Sequence, residues 1–297
     1  MKKFTQFQLF VIICSVFLSV SCKPKSGGSS EWEILLDKDL SKWRIYQSYE
    51  FADGFRGEVL VGEAGNKIPP IGYDKNIKNV FSVIEENDEL MLHISGEVYG
   101  CVFTKQDFRN YHLKLKTKWG TQKWSPRLDK AMDSGILYHS QGECGVDYWH
   151  TWMLSQEFQV IEGGTTEGIS GDFWPIANSR IDIKAEKPED KFNYFYSPDA
   201  SIVSFGANGT PGPCMTPVDY ESPNGEWTTM ELICFEGKSI HIVNGHVAMI
   251  LENSSYWNGT EILPLVEGKI QLQCEAAEVF YKDIMIKQIT ELPEEYR

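Results

Sequence analysis

The residues best suited to chemistry lie between Asp133 and Glu162. This stretch reads Asp133-Ser-Gly-Ile-Leu-Tyr-His139, passes Tyr148, Trp149, His150 and Trp152, and ends in Ser155-Gln156-Glu157-Phe158-Gln159-Val160-Ile161-Glu162 before Gly163-Gly164. In an extended strand alternate side chains share a face, so Glu157 and Gln159 point one way and Phe158 and Val160 the other. Strict alternation turns Glu162 away from Glu157. A β-bulge at Val160-Ile161 would swing it back and set Glu, Gln and Glu in a row on a cleft floor. Two carboxyl groups on one pleated surface can divide acid and base roles, because mutual repulsion and unlike surroundings separate their pKa values. The plainer reading is the solvated side of an antiparallel strand.

Glu157 is the leading base candidate in this arrangement and Glu162 its acid partner, with the Gln159 amide placed to hold a hydroxyl. Asp133, Gly135, Leu137 and His139 share one parity, which would aim Asp133 and His139 into the same cleft. His139 is equally well read as a structurally hydrogen-bonded histidine, and His150 is a weaker candidate still. Tyr148, Trp149, Trp152, Phe173 and Trp174 flank the strand, while Trp119 and Trp124 border the loop before Asp133. Flat indole faces suit the apolar C–H faces of sugar rings and their N–H groups can meet hydroxyls. Some of these aromatics must instead fill the core, as Trp43 and Trp227 are expected to do.

The elements that must carry these groups read as strands. Val80–Ile84, Leu90–Ile94, Gly100–Thr104 and above all Tyr111-His-Leu-Lys-Leu-Lys-Thr-Lys-Trp119 alternate apolar and polar residues. Arg180–Lys184 alternates again, followed by turn-rich sequence up to Glu226 that reads as long loops. Trp227–Phe235, Ser239–Val243 and His246–Leu251 form a meander, with Asn244-Gly245 a type I′ turn signal. Gly268–Cys274 and Ala277–Lys287 read as a final hairpin. Many closely spaced strands without intervening helices favour an all-β, two-sheet sandwich or jelly roll.

Residues 1–22 are read as a targeting segment: Lys2 and Lys3, an apolar run from Leu9 to Val20, then Ser19-Val20-Ser21-Cys22. This resembles a bacterial lipoprotein signal, which makes Cys22 the lipidated residue, residues 23–30 a flexible tether and residues 31–297 a single folded domain. The resemblance implies a cell-envelope protein held to the membrane through its lipid alone. The absence of acidic residues just after Cys22 favours the outer membrane, facing the periplasm. The whole chain carries a formal charge of −14, and loss of residues 1–22, with two lysines and no acid, makes it −16. A chain this acidic, without a basic stripe, is unsuited to a phosphate backbone, so nucleic acid is not an expected partner. Beyond Cys22 there are five cysteines, at positions 101, 144, 214, 234 and 274, an odd number without metal-site spacing. A bridge between Cys144 and Cys214 would be compatible with their loop positions.

Several stretches taken in order resemble the 3-keto-disaccharide hydrolase domain family. They are Ile34–Trp43, Tyr99–Phe108, Asp133-Ser-Gly-Ile-Leu-Tyr, Glu157-Phe-Gln-Val-Ile-Glu, Gly225-Glu-Trp227, His241-Ile-Val-Asn-Gly245, Gly268–Gln273 and Val279-Phe-Tyr-Lys-Asp-Ile-Met-Ile. The resemblance spans nearly all of residues 31–297 and implies a concanavalin-like jelly roll that cleaves glycosidic bonds of 3-keto-glycosides or related oligosaccharides, by hydrolysis or elimination. The family usually has Asn at the position of Asp133 and Asp at that of Glu162, and the loops at 120–132 and 186–226 read as insertions. Glu-x-Gln-x-x-Glu is also similar in spacing to the Glu-x-Asp-x-x-Glu of laminarinase-type glycosidases, which hydrolyse with two carboxylates. No cofactor is demanded by any spacing, although a divalent ion on Asp133, Glu157 or Glu162 suits such oxygen donors. The alternative function is a carbohydrate-binding lipoprotein without turnover.

Overall fold

A computed structural model of the chain describes residues 31–50, 60–146 and 151–297. The proposed signal and tether, Cys22, Tyr148, Trp149 and His150 lie outside the described residues.

Two sheets stack as the expected all-β jelly-roll sandwich. The cleft sheet runs, in spatial order, Gly72–Tyr73, Trp43–Glu50, Val98–Thr104, Lys269–Cys274, Asp133–Gln141, Leu154–Ile161, Phe173–Ile176, Cys214–Met215 and Tyr194–Tyr196. The back sheet runs Phe81–Glu86, Glu89–Ile94, Ala277–Gln288, Tyr111–Lys123, Thr228–Phe235, Lys238–Val243, His246–Trp257, Ser179–Glu186 and Ile202–Gly206. These pairings are antiparallel except that of Tyr194–Tyr196 with Cys214–Met215.

Alternation explains the layering. In Tyr111–Lys123 the buried Leu113 and Leu115 face inward, opposite Leu232 and Met230, and the intervening lysines face out. Ile136, Phe158, Val160 and Leu272 close the same core from the cleft sheet, each such side chain contributing ~1.5–3 kcal/mol on leaving water. The Asn244-Gly245 turn forms as expected, with φ of 48° and 79°.

The expected last hairpin does not form. Lys269–Cys274 pairs within the cleft sheet while Ala277–Gln288 joins the back sheet, so the chain changes layers at Glu275-Ala276, where Ala276 has φ of 59°. The loop-rich region after Lys184 contains three short strands, Tyr194–Tyr196, Ile202–Gly206 and Cys214–Met215. Trp43 is buried and donates its indole N–H to the Leu35 carbonyl. Trp227, by contrast, lies on the outer face of the back sheet between the ammonium groups of Lys118 and Lys282, 4.8 and 4.6 Å from its ring centre. All five described cysteines are buried free thiols, so Cys144 and Cys214 are not bridged.

Candidate active site

From Gln156 to Ile161 the strand Leu154–Ile161 pairs in regular register with its neighbour, Asp133 opposite Ile161, Gly135 opposite Gln159 and Leu137 opposite Glu157. Phe158 and Val160 therefore enter the core, and Glu157 and Gln159 form the floor of a cavity of about 370 Å³ on the other face. Asp133, Trp152 and Trp174 line the same cavity, joined by three residues not expected there: Arg127, Gln273 and Glu275.

Arg127 organises the acids. Its guanidinium pairs with the Asp133 carboxylate and, at 2.9 Å, with that of Glu275. The backbones of Asp133 and Glu275 also form a bridge, because the layer change at Glu275 brings it beside the start of the Asp133 strand. Gln159 donates through Nε2 to Asp133 Oδ1 at 2.5 Å and to the Ser134 carbonyl at 3.0 Å. Its amide N–H groups hold Asp133 rather than standing free for a sugar hydroxyl. The side chains of Glu157 and Gln273 lie together beside Gly135.

Three carboxyl groups around one cation leave an excess of negative charge in a dry place. Burial pushes Asp133 up to about 8, reinforced by Glu275 and opposed by Arg127 and Gln159. Glu157 stands well above the usual carboxylate range, first through burial and then through the charges of Asp133 and Glu275. Burial and the neighbouring carboxylates thus favour the protonated form of Glu157. Gly135 makes the crowding possible: a Cβ there would lie 2.4 Å from Glu157 Oε1 and 2.6 Å from Gln273 Oε1.

Glu162 does not join this group. The ladder continues regularly past Ile161, the Glu162 N–H bonding to the Met132 carbonyl at 2.9 Å, so no bulge returns its side chain to the cleft. Its carboxylate accepts instead from the Met132 N–H at 2.9 Å and from Asn224 Nδ2 at 2.6 Å. The register shift falls between Tyr138 and Gln141, where His139 takes a φ of 54°. That left-handed residue reverses the parity, and His139 packs edge-on against Tyr111 and Tyr138 in the interior. Burial lowers it to about 3, leaving a neutral imidazole with no access to the cavity.

Trp152 is buried in the cavity wall with Leu137 and Met153, whereas Trp174 is 38% exposed at the mouth. Phe173 and Trp119 are core residues, Trp119 donating to Glu221 Oε1, and Trp124 is turned to the Ser95 carbonyl. Of the oxygen donors considered for a divalent ion, Asp133 and Glu157 share the cavity and Glu162 lies apart from them, while Arg127 pairs with Asp133 and Glu275. Among the described residues no group of three or more His, Cys, Asp or Glu is placed to hold a metal. Of the unexpected residues, Gln273 had a legible signal, because Gln271 and Gln273 share one parity in a strand whose other face is apolar. Arg127 and Glu275, in a loop and at a corner, had none.

The fold and site define a jelly-roll sandwich with a buried acid cluster open to one face. Residues 31–287 match the 3-keto-alpha-glucoside-1,2-lyase-like domain, and the chain belongs to that family. No curated protein matches the chain. Similar solved structures include one from Parabacteroides distasonis provisionally described as a glycosyl hydrolase, 15% identical, TM-score 0.47, covering 87% of this chain and 100% of that one. A Bacillus licheniformis beta-glucanase is 12% identical, TM-score 0.42, covering 89% and 100%. The carbohydrate-binding module CBM66 from Bacillus subtilis is 6% identical, TM-score 0.37, covering 70% and 92%.

Proposed function

We propose that this protein cleaves the glycosidic bond of 3-keto-glycosides by acid–base elimination. The carrying observation is Arg127 paired with Asp133 and Glu275 in a cavity whose floor holds Glu157, a carboxyl that burial biases toward its protonated form. A carbonyl at C3 of the sugar acidifies the hydrogen on C2. Asp133, titrating near neutrality, takes that proton. The electron pair forms the enolate, whose negative oxygen is stabilised by the positive charge of Arg127. Expulsion of the C1 oxygen then breaks the glycosidic bond, and Glu157 protonates the departing oxygen. Water can add to the unsaturated product afterwards. Trp174 offers the ring a stacking face at the cavity mouth.

The test is incubation of the purified protein with a 3-keto-disaccharide and with its unoxidised parent, with and without chelator, while released monosaccharide is measured. Release from the keto sugar alone, insensitive to chelator, is the expected result. Binding without release by the wild type would leave a carbohydrate-binding protein in its place.

A further inference from the structure

Ser134 sits where the strands that carry Asp133 and Gln159 meet the one that leads into Glu275. Asp133 faces the cavity, and Ser134, of opposite parity, is fully buried on the other side of the sheet. Its Oγ donates to the Gln273 carbonyl at 2.8 Å and lies 2.7 Å from the Tyr281 hydroxyl. A serine hydroxyl has one proton, so with that proton on Gln273 the Tyr281 O–H must donate to Ser134 Oγ. Tyr281 belongs to Ala277–Gln288 in the back sheet and is itself fully buried, so this relay crosses the sandwich interior. It ends at a gap in the cleft floor. Asp133–Gln141 and Lys269–Cys274 pair as far as Ile136 and Leu272, and the next pairing is the lone bridge of Asp133 with Glu275. Gly135 lies in that gap, with the side chains of Glu157 and Gln273 crowded over it. On the third strand, Gln159 Nε2 donates to the Ser134 carbonyl at 3.0 Å as well as to Asp133.

We infer that Ser134, backed by Tyr281, is a positioning residue: it fastens the Asp133 strand to the Gln273 carbonyl and so sets the spacing of Asp133, Arg127 and Glu275. This rests on the keto-glycoside reading above, in which Asp133 takes the C2 proton and Arg127 meets the enolate. Neither Ser134 nor Tyr281 lines the cavity, so both act through the strands. The Asp133 and Glu275 carboxylates share one guanidinium nitrogen, Arg127 Nη2. Two like charges there repel, which works to open the gap that the serine closes.

The test compares wild type with Ser134→Ala, Tyr281→Phe and Ile233→Val on a 3-keto-disaccharide. Ile233 is buried with Ile240 and Ile242 on the outer face of the back sheet, so its truncation is a core deletion remote from the cleft. Ser134→Ala should lose about 10- to 100-fold in kcat with KM within about 3-fold, because misplacing reacting groups by about 1 Å costs rate on that scale. Ile233→Val, read at the same temperature, should keep the wild-type kcat. Tyr281→Phe leaves Ser134 its bond to Gln273 and should show a smaller loss, again in kcat, and it carries the test should Ser134→Ala not fold. Carbon-13 NMR of the carboxyl groups, with Asp133→Asn to assign the signal, adds a readout free of turnover. The Asp133 midpoint, about 8 in wild type, should fall in Ser134→Ala as Glu275 moves off and water enters. An unchanged or raised midpoint, a kcat no lower than that of Ile233→Val, or a loss confined to KM would overturn the inference. If the wild type cleaves no keto sugar, the functional reading fails, and the midpoint still decides whether Ser134 sets the spacing.

Discussion

Trp174 stands directly opposite Glu157 in the ladder between Phe173–Ile176 and Leu154–Ile161. One is an indole 38% exposed, the other a carboxyl 4% exposed. Adjacent strands thus place an apolar face at the mouth and a buried carboxyl beneath it.

Removal of the indole should therefore affect binding more than chemistry. In Trp174→Ala the loss of a stacking face should raise KM for a 3-keto-disaccharide about 10-fold, corresponding to ~1.5 kcal/mol, with kcat changed by less than about 3-fold. Trp174→Phe should recover most of the affinity. Steady-state kinetics on the three proteins reads both parameters, and a collapse of kcat in Trp174→Ala would contradict the division of roles.

Glu157→Gln should do the reverse. The amide keeps the shape and can still hydrogen-bond, yet it cannot release a proton to a leaving oxygen, so kcat should fall roughly 10²- to 10⁴-fold. Substrates whose leaving group is already acidic, such as a nitrophenyl 3-keto-glucoside, should lose far less, because they depart without protonation. A variant equally slow on both substrates would show that Glu157 is not the acid.

The pH dependence follows from Arg127. Asp133 must be ionised to accept a proton and titrates at about 8, a value that Arg127 pulls downward against burial and Glu275. The kcat/KM profile should rise with pH with an apparent pKa near 8 that belongs to the coupled cluster. Arg127→Gln withdraws the cation, so the rising limb should move to higher pH and activity at pH 7 should drop by about 10-fold or more. A limb that stays in place would mean that another group sets it.

Much of this frame was legible because period-2 patterning is a local property. The alternation in Tyr111–Trp119 and in Glu157–Val160 fixed which side chains enter the core, and Asn244-Gly245 named its own turn. Bulge position was not legible, since the residue that takes the left-handed conformation is His139 and no glycine marks it. The same holds for the layer change at Glu275-Ala276, where two strong strand patterns two residues apart imitate a hairpin. Arg127 reaches Glu275 across 148 residues of sequence, and such a contact is set by how the layers stack rather than by any neighbouring residue.

Behind the cleft, Asp172 gives a stability prediction whose sign can be worked out. Its carboxylate accepts from the Thr216 N–H at 2.6 Å and from the Ile169 N–H at 2.9 Å, and burial pushes it up to about 7. A carboxyl raised above its unfolded value near 3.9 holds a proton in the folded chain where the unfolded chain has lost it. Its contribution to stability is complete below about pH 4 and is lost as pH rises through about 7. His241, stacked on Phe158 and lowered by burial to about 3, works the other way, losing stability as pH falls below about 6.5. The two effects oppose each other in wild type, so the difference between proteins is the informative quantity. Asp172→Asn should be less stable than wild type at pH 5, and the gap should narrow by roughly 3 kcal/mol by pH 8, since two pH units of unequal proton binding are removed. Urea denaturation of both proteins at pH 5 and pH 8 measures this directly, and a constant gap would show that Asp172 is ionised in the folded chain throughout.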